Sequence, residues 1–554
     1  MRSRLSLTNL AGWLTGLSGW RRRLAALTAG AGSVLALAPF FVWPVLWITL
    51  PALVWLLDGA IAGDKARATQ RWVKRAEMSA AAVGWWWGFG YFLAGLFWIG
   101  EAFLVEAGRF AVLMPFAVLL MPAGLAVFYA AAAALAARFW HTGTYRVLAL
   151  ALSLAAAEWL RGHVLSGFPW NVLGYALTYP LPFMQGAAVL GIYGLTLLAV
   201  IVFALPLVLW RDSPSRKSGT VAMAVAVVPL LILGTLGQIR ISTGISETMP
   251  GVKIRIVQPS IPQREKWIRG NQERIFREHL DLSKRDPSGK EDGLAGVTHV
   301  VWPEAAMPFM PLDTPEALAA IAAMLPENTL LITGALRAEL APPESPRMYH
   351  FFNSLLVFGK GAILVTLYDK IDLVPFGEFL PLRRVLEAVG LRHFAFSVGT
   401  FEAGASPRPL IDVPGMPTVV PLICYEAIFP RVVERKGKIP GVMVNVTNDG
   451  WFGNTTGPRQ HIHQARVRAV EEGLPLIRAG NNGISGVFDG YGRVVAWVDL
   501  NVQGSIDSPL PVALPAPLYA RFGDWLFFTV WLLGIAILGI VVWRPSHTRP
   551  RSMG

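Results

Sequence analysis

Cys424 is the only cysteine in the 554 residues, and it closes the apolar run Val419–Cys424, with Glu426 two positions beyond. A thiol attacks as thiolate, so a nucleophilic cysteine needs a base and positive potential close by. Two other stretches hold residues that could supply them, Trp302-Pro303-Glu304 and Tyr368-Asp369-Lys370. In most proteins a lone cysteine at the end of a buried strand is a small hydrophobe. Here the company of a carboxylate and a lysine in short motifs favours a nucleophile. An ester carbonyl asks for these types: a nucleophile, a base for the thiol proton, and donors for the tetrahedral oxyanion.

These side chains fall in a stretch, 250–510, that reads as a soluble α/β domain. Strands are expected at Val252–Gln258, His299–Trp302, Leu330–Ala335, Ser354–Phe358, Ile363–Leu367, Val419–Cys424, Val442–Val446, Gly486–Phe488 and Val494–Val498. Helical patterns lie between them at Gln272–Arg285, Pro315–Met324 and Pro458–Glu472, and Gly359-Lys360-Gly361 marks a hairpin turn.

The rest of the chain is of another kind. Charged residues are only 15% of the total, while Trp (21) and Phe (29) are abundant, which is a membrane composition. The net charge of +13 is not the mark of a nucleic-acid binder, because residues 250–510 hold 27 basic and 27 acidic residues. The remaining 22 basic and 9 acidic residues carry the whole excess. Apolar segments lie at about 24–39, 40–60, 80–105, 110–137, 146–163, 188–210, 220–239 and 522–543. All but the first and fifth reach the ~20 residues that a span requires unaided. An organisation follows of a seven-span N-terminal bundle (1–245), a catalytic domain (250–510) and a C-terminal span (520–545). Eighteen Lys and Arg fall in alternate loops, and only Arg109, Arg161, Arg240 and Arg521 in the others. The positive-inside rule then puts both termini in the cytoplasm and 250–510 on the outer face. Met1–Arg23 reads as a cytoplasmic lead without a cleavage site.

Together, WPE (302–304), YDKIDLVPFGEFLP (368–381) and ICYE (423–426) follow the Glu-Lys-Cys order of the nitrilase superfamily. VQPSIPQREKW (257–267), GFPWNVLGY (167–175), NDGWFG (448–453) and RAGNNG (478–483) narrow the match. With the apolar segments, the chain resembles the bacterial apolipoprotein N-acyltransferase family over nearly its whole length. The resemblance implies an αββα, nitrilase-like domain carried on about eight spans in the bacterial inner membrane, with the domain in the periplasm. It implies acyl transfer from a phospholipid to the α-amino group of a diacylglyceryl-cysteine that begins an apolipoprotein, through a thioester on the enzyme. It makes Cys424 the nucleophile, Glu304 the general base and Lys370 the cation at the oxyanion. Glu378 and Glu426 fall on two further acidic positions of the family, as partners of Lys370 and Glu304. Trp267, Tyr425 and Trp451 fall where relatives line the substrate entrance, and Asn353 lies in a family motif. Arg478 would meet a phosphate head group or form a structural ion pair. Trp170 would support the mouth of the site from the membrane half. The protein is expected to be a monomer with no cofactor.

Two other readings compete. A membrane-tethered amidase or nitrilase would use the same trio with water as acceptor. A transporter would carry many ionisable residues in mid-span, whereas Asp58, Glu101 and Glu158 fall near segment ends. His461 and His463 suggest a metal, but on a helix they point to different faces and no carboxylate spacing completes a site.

Overall fold

The computed structural model describes residues 7–65, 72–140, 143–285, 293–344, 348–381, 401–433 and 437–543. The chain divides into two compact units. One comprises Met1–Phe97, Val118–Gly237 and Phe522–Gly554, and the other Trp98–Ala117 and Gln238–Arg521.

The first unit is helical. Its helices are α1 (Leu7–Gly16), α2 (Gly19–Ser33), α3 (Leu46–Lys65), α4 (Trp72–Leu96), α5 (Met114–Arg138), α6 (Tyr145–His163), α7 (Ala187–Asp212) and α8 (Arg216–Thr243). Among the described residues, five stretches are long and apolar enough to cross a membrane: Trp43–Gly63, Arg75–Leu104, Ala107–Arg138, Ala187–Asp212 and Arg216–Thr243. Eight were expected. Of the other three segments, the first yields α2, only 15 residues long with three arginines in its first turns. Pro39 and Pro44, which lack an N–H, keep the next stretch from extending it. The fifth yields α6, which buries Arg146, Glu158 and Arg161. The eighth lies in a shorter apolar helix described below.

Exposure supports a lipid environment. On α5, Phe116, Leu120 and Val127 are exposed, as are Leu231 and Leu236 on α8, a surface that water would not tolerate over two whole helices. Inside the unit, α2 and α4 approach through a reciprocal glycine pair. A Cβ on Gly30 would lie 1.9 Å from the Trp87 carbonyl, and one on Gly90 2.0 Å from that of Leu27. The buried Glu158 carboxylate is saturated, accepting from the Leu173 N–H at 3.0 Å, the Thr196 hydroxyl at 3.0 Å and the Tyr129 hydroxyl. It is a structural acid. At the ends of α3, α6 and α7, Asp58, Arg146, Arg211 and Asp212 form one ion-pair cluster.

The second unit is built on two sheets. The first has the order β11 (Gly504–Pro511), β1 (Thr248–Gln258), β2 (His299–Val301), β3 (Leu330–Leu340), β4 (Tyr349–Phe358), β5 (Leu364–Asp369). The second runs β10 (Val494–Val498), β9 (Ser485–Phe488), β8 (Leu476–Gly480), β7 (Val442–Thr447), β6 (Val419–Ile423). Strands β1, β2 and β3 are parallel, as are β6, β7 and β8, and the outer pairs are antiparallel. Side chains alternate across each sheet. Ile254, Val301 and Val357 of the first sheet share one core with Ile423, Val444 and Ile477 of the second. Their neighbours Val257, Val300 and Phe358 face the opposite way, onto α9 (Gln272–Lys284) and α10 (Pro315–Met324). Val420, Met443 and Leu476 face α11 (Gly457–Glu472). The layers are therefore helix, sheet, sheet, helix. α9 shows why: its buried Ile275, Phe276, His279, Leu280 and Ser283 form one stripe at helical spacing. Trp98–Ala117 belongs here because Trp98 donates to Gln460 at 3.1 Å and packs edge-on against Phe452. After β11 the chain re-enters the helical unit as α12 (Trp525–Trp543).

Candidate active site

Each reactive side chain sits just past the carboxyl end of a strand. Glu304 follows β2 after Trp302-Pro303. Its backbone passes so close to β3 that a Cβ on Gly334 would lie 2.5 Å from the Glu304 Cα. Lys370 follows β5, where its N–H donates to the Asn353 carbonyl at 2.9 Å. Cys424 follows β6 and opens a short 3-10 turn, Cys424–Ile428, with φ +49°. A non-glycine residue in that region costs on the order of 1 kcal/mol and persists where its surroundings fix it. Two bonds fix it here. The Glu426 carboxylate accepts from the Ile423 N–H at 2.7 Å, and His461 Nε2 lies 3.1 Å from the Cys424 carbonyl.

Glu304, Lys370 and Glu378 form one buried knot. The Lys370 ammonium lies 2.8 Å from Glu378 Oε1 and 3.7 Å from Glu304 Oε1. Asn353 Nδ2 donates to both carboxylates, at 2.8 Å to Glu304 and 3.0 Å to Glu378. The second Glu378 oxygen accepts from the Val374 N–H at 2.8 Å. Burial alone would discharge Lys370, but Glu378, Glu304 and Cys424 outweigh it and hold the ammonium protonated well above its ordinary range. Burial raises the Glu304 carboxyl, and Lys370 opposes that rise. Burial also pushes the Cys424 thiol far up, Glu304 adds to this, and Lys370 pulls the other way. Burial thus favours the neutral resting thiol, and it also raises the proton affinity of the Glu304 carboxylate.

The other expected site residues divide. Trp267 and Trp451 are both exposed. Their loops are tied by Asn448, which donates to Gln263 at 2.8 Å. Tyr425, expected at the entrance, is instead buried edge-to-face on Phe429. Asn353, placed among substrate contacts, is engaged with the carboxylates of Glu304 and Glu378. Glu426, grouped with the catalytic acids as a partner of Lys370 or Glu304, holds neither side chain. It accepts from the Tyr368 hydroxyl and from the Ile371 and Asp372 N–H groups at 2.7, 2.9 and 3.1 Å, and pairs with Arg408 at 2.9 Å. It thereby ties the segment after Lys370 to the cysteine turn. Arg478 takes the ion-pair alternative: fully buried, it pairs with Asp449 at 2.9 Å and bonds Asn445. No surface is left on it for a head group. Trp170 is buried in the helical unit, where its carbonyl accepts from Arg161 at 2.8 Å.

Sequence reasoning passed over two residues. His461, weighed only as a metal ligand, spans Asp449 Oδ1 at 2.8 Å and the Cys424 carbonyl. Lys266, inside the 257–267 motif, is buried and donates to the Glu304 carbonyl at 3.0 Å. A polar residue that ends a short helix beside an expected entrance tryptophan was the available signal.

Residues 29–205 match the family model described as apolipoprotein N-acyltransferase N-terminal domain, and residues 253–509 match carbon-nitrogen hydrolase. A protein of Rhodopseudomonas palustris named apolipoprotein N-acyltransferase is 44% identical over 527 residues, covering 95% of this chain and 96% of its own. Proteins of the same name from Bradyrhizobium diazoefficiens and Brucella suis are 47% and 42% identical, covering 91% and 97% of this chain, and 92% and 99% of their own.

Proposed function

The chain belongs to the apolipoprotein N-acyltransferase family and is an acyltransferase, and from that premise we propose its substrates, its mechanism and the side of the membrane on which it works. The donor is a phospholipid, and the acceptor is the α-amino group of the diacylglyceryl-cysteine at the start of an apolipoprotein. The transfer is ping-pong, and it completes the maturation of the lipoprotein. The observation that carries this reading is the buried Glu304–Lys370–Glu378 knot coupled electrically to the one thiol of the chain.

Glu304 takes the Cys424 proton as the sulfur attacks the donor ester. Lys370 and neighbouring N–H groups hold the oxyanion, which collapses to a thioester and lysophospholipid. The freed alcohol leaves with the proton from Glu304. The acceptor amine then gives a proton to Glu304, attacks the thioester and restores the thiol. Asn353 and Glu378 keep Lys370 and Glu304 in register, and Trp267 and Trp451 receive the acyl chains. Eight spans in the inner membrane, with cytoplasmic termini and the 250–510 domain in the periplasm, agree with the loop charges, and the protein acts as a monomer. The hydrolase alternative is not favoured, because relatives matched over nearly the whole chain are named as transferases.

The test is incubation with phospholipid alone. One equivalent of lysophospholipid and an acyl adduct on Cys424, seen by intact mass and removed by hydroxylamine, are expected. Lysophospholipid that forms only once acceptor is added would instead mean direct ternary transfer. Steady release of free fatty acid would mean a hydrolase.

A further inference from the structure

Lys266 closes the short helix Gln263–Lys266 and is 2% exposed. Its Nζ donates to the main-chain carbonyl of Glu304 at 3.0 Å, and among the described residues no carboxylate pairs with it. A buried ammonium held by one carbonyl, with the Trp267 ring 6.0 Å away, is costly, and an amide would make the same hydrogen bond without a charge. The charge therefore calls for a reason beyond holding the loop.

The surrounding groups supply one. Lys266 interacts electrostatically with Glu304 from the loop after β2, with Cys424 from the turn after β6, and with His279 from α9, which burial keeps neutral with its pKa lowered to about 4. Beyond Glu304 lie Lys370 and Glu378. With Glu304 in its basic form, Glu304 and Glu378 set two carboxylates against the one ammonium of Lys370. During attack the Cys424 proton moves to Glu304, the C–S bond forms, and the carbonyl π pair passes to oxygen. The negative charges are then on Glu378 and the oxyanion, again against one cation.

We propose that Lys266 is the second cation of this site, a positioning residue that holds the Glu304 backbone and whose charge neutralises the site while negative charge passes from carboxylate to thiolate to oxyanion. This rests on the acyl-transfer reading above. The charge is conditional on pH: burial lowers the Lys266 pKa to about 8, with Glu304 and Cys424 opposing the fall. The cation is present below that pH and lost above it, so acylation slows as the pH rises through about 8.

The experiment measures single-turnover acylation of the full-length protein in detergent micelles, by intact mass and lysophospholipid release, from pH 6 to 10. The wild type should show a break near pH 8. Lys266→Gln, which keeps a donor but no charge, should be on the order of 100-fold slower at pH 7 and show no break. Lys266→Arg should stay within about tenfold of wild type, with the break moved up by more than one pH unit. A Lys266→Gln variant that keeps the break, whether its rate falls or not, overturns the proposal. Should that variant fail to fold, a Lys266→Arg break left near pH 8 overturns it equally. A wild type that never forms the Cys424 adduct overturns the acyl-enzyme reading and this proposal together, whereas a wild-type adduct that forms independently of pH overturns this proposal alone.

Discussion

A single amide, Asn353, joins the two carboxylates that the chemistry must keep apart in role. It donates to Glu304 and to Glu378, and its bond to Glu304 favours the ionised, basic form. Removing it in Asn353→Ala leaves Glu304 with a still higher proton affinity. The acidic limb of the kcat/KM profile should then move to higher pH, and an unmoved limb would refute this role. Lys370→Ala removes the proposed oxyanion partner and the charge that holds Glu378, so a loss of roughly 100–1000-fold is expected. Cys424→Ser and Cys424→Ala should abolish acyl transfer while the protein still inserts. Residue types in motif order make Glu304, Lys370 and Cys424 legible in the sequence itself. Lys266 and His461 are not, because what matters in them is a bond to another residue's main chain. No side-chain pattern encodes that.

The elements carry their own constraint, since the Glu304 loop is placed by a strand it does not belong to. β3 can lie against the Glu304 loop only because residue 334 has no side chain. Gly334→Ala should displace Glu304, cost about 1–3 kcal/mol of stability and slow turnover on the order of 100-fold. Gly504→Ala, where a Cβ meets nothing within 4 Å, should do neither. Thermal melts and acylation rates of the two variants separate these outcomes. Strands with apolar alternation could be read from the sequence, and β10 and α10 fall at the expected bounds. β8 and β11 could not. Arg478 and Gly480 break the apolar run of β8, the arginine being tolerable there only because Asp449 is buried opposite it. β11 carries Pro509 and Pro511 and looks like a loop until β1 is present to pair with it.

For the whole molecule, membrane insertion and pH set the terms. In the proposed orientation 250–510 lies outside, so a reporter fused after Leu510 should be active only in its periplasmic form, and cytoplasmic activity would reverse the orientation. Stability should fall on acidification. Burial lowers His279 to about 4 and His463 to about 3, against an ordinary 6.5, so the unfolded chain binds these protons first. Their contribution is complete above pH ~6.5 and is lost as the pH falls toward 4, on the order of 3 kcal/mol for His279. Asp449, held below the carboxylate range by Arg478 and His461 in spite of its burial, acts in the same direction. The Tm in detergent should drop between pH 6.5 and 4, and a flat profile would contradict the buried neutral imidazoles.

The neutral resting thiol bears on chemical lifetime. Oxidants and alkylating agents attack thiolate, and within one chain a sulfenic acid reaches a disulfide only through a second thiol. This chain has no second cysteine, so an oxidised Cys424 depends on an external thiol for its recovery. A site that keeps its sulfur protonated until donor lipid arrives is shielded from that fate. Peroxide and iodoacetamide should therefore inactivate the enzyme slowly at neutral pH. Its durability toward oxidants would follow from the same burial that makes the cysteine look inert.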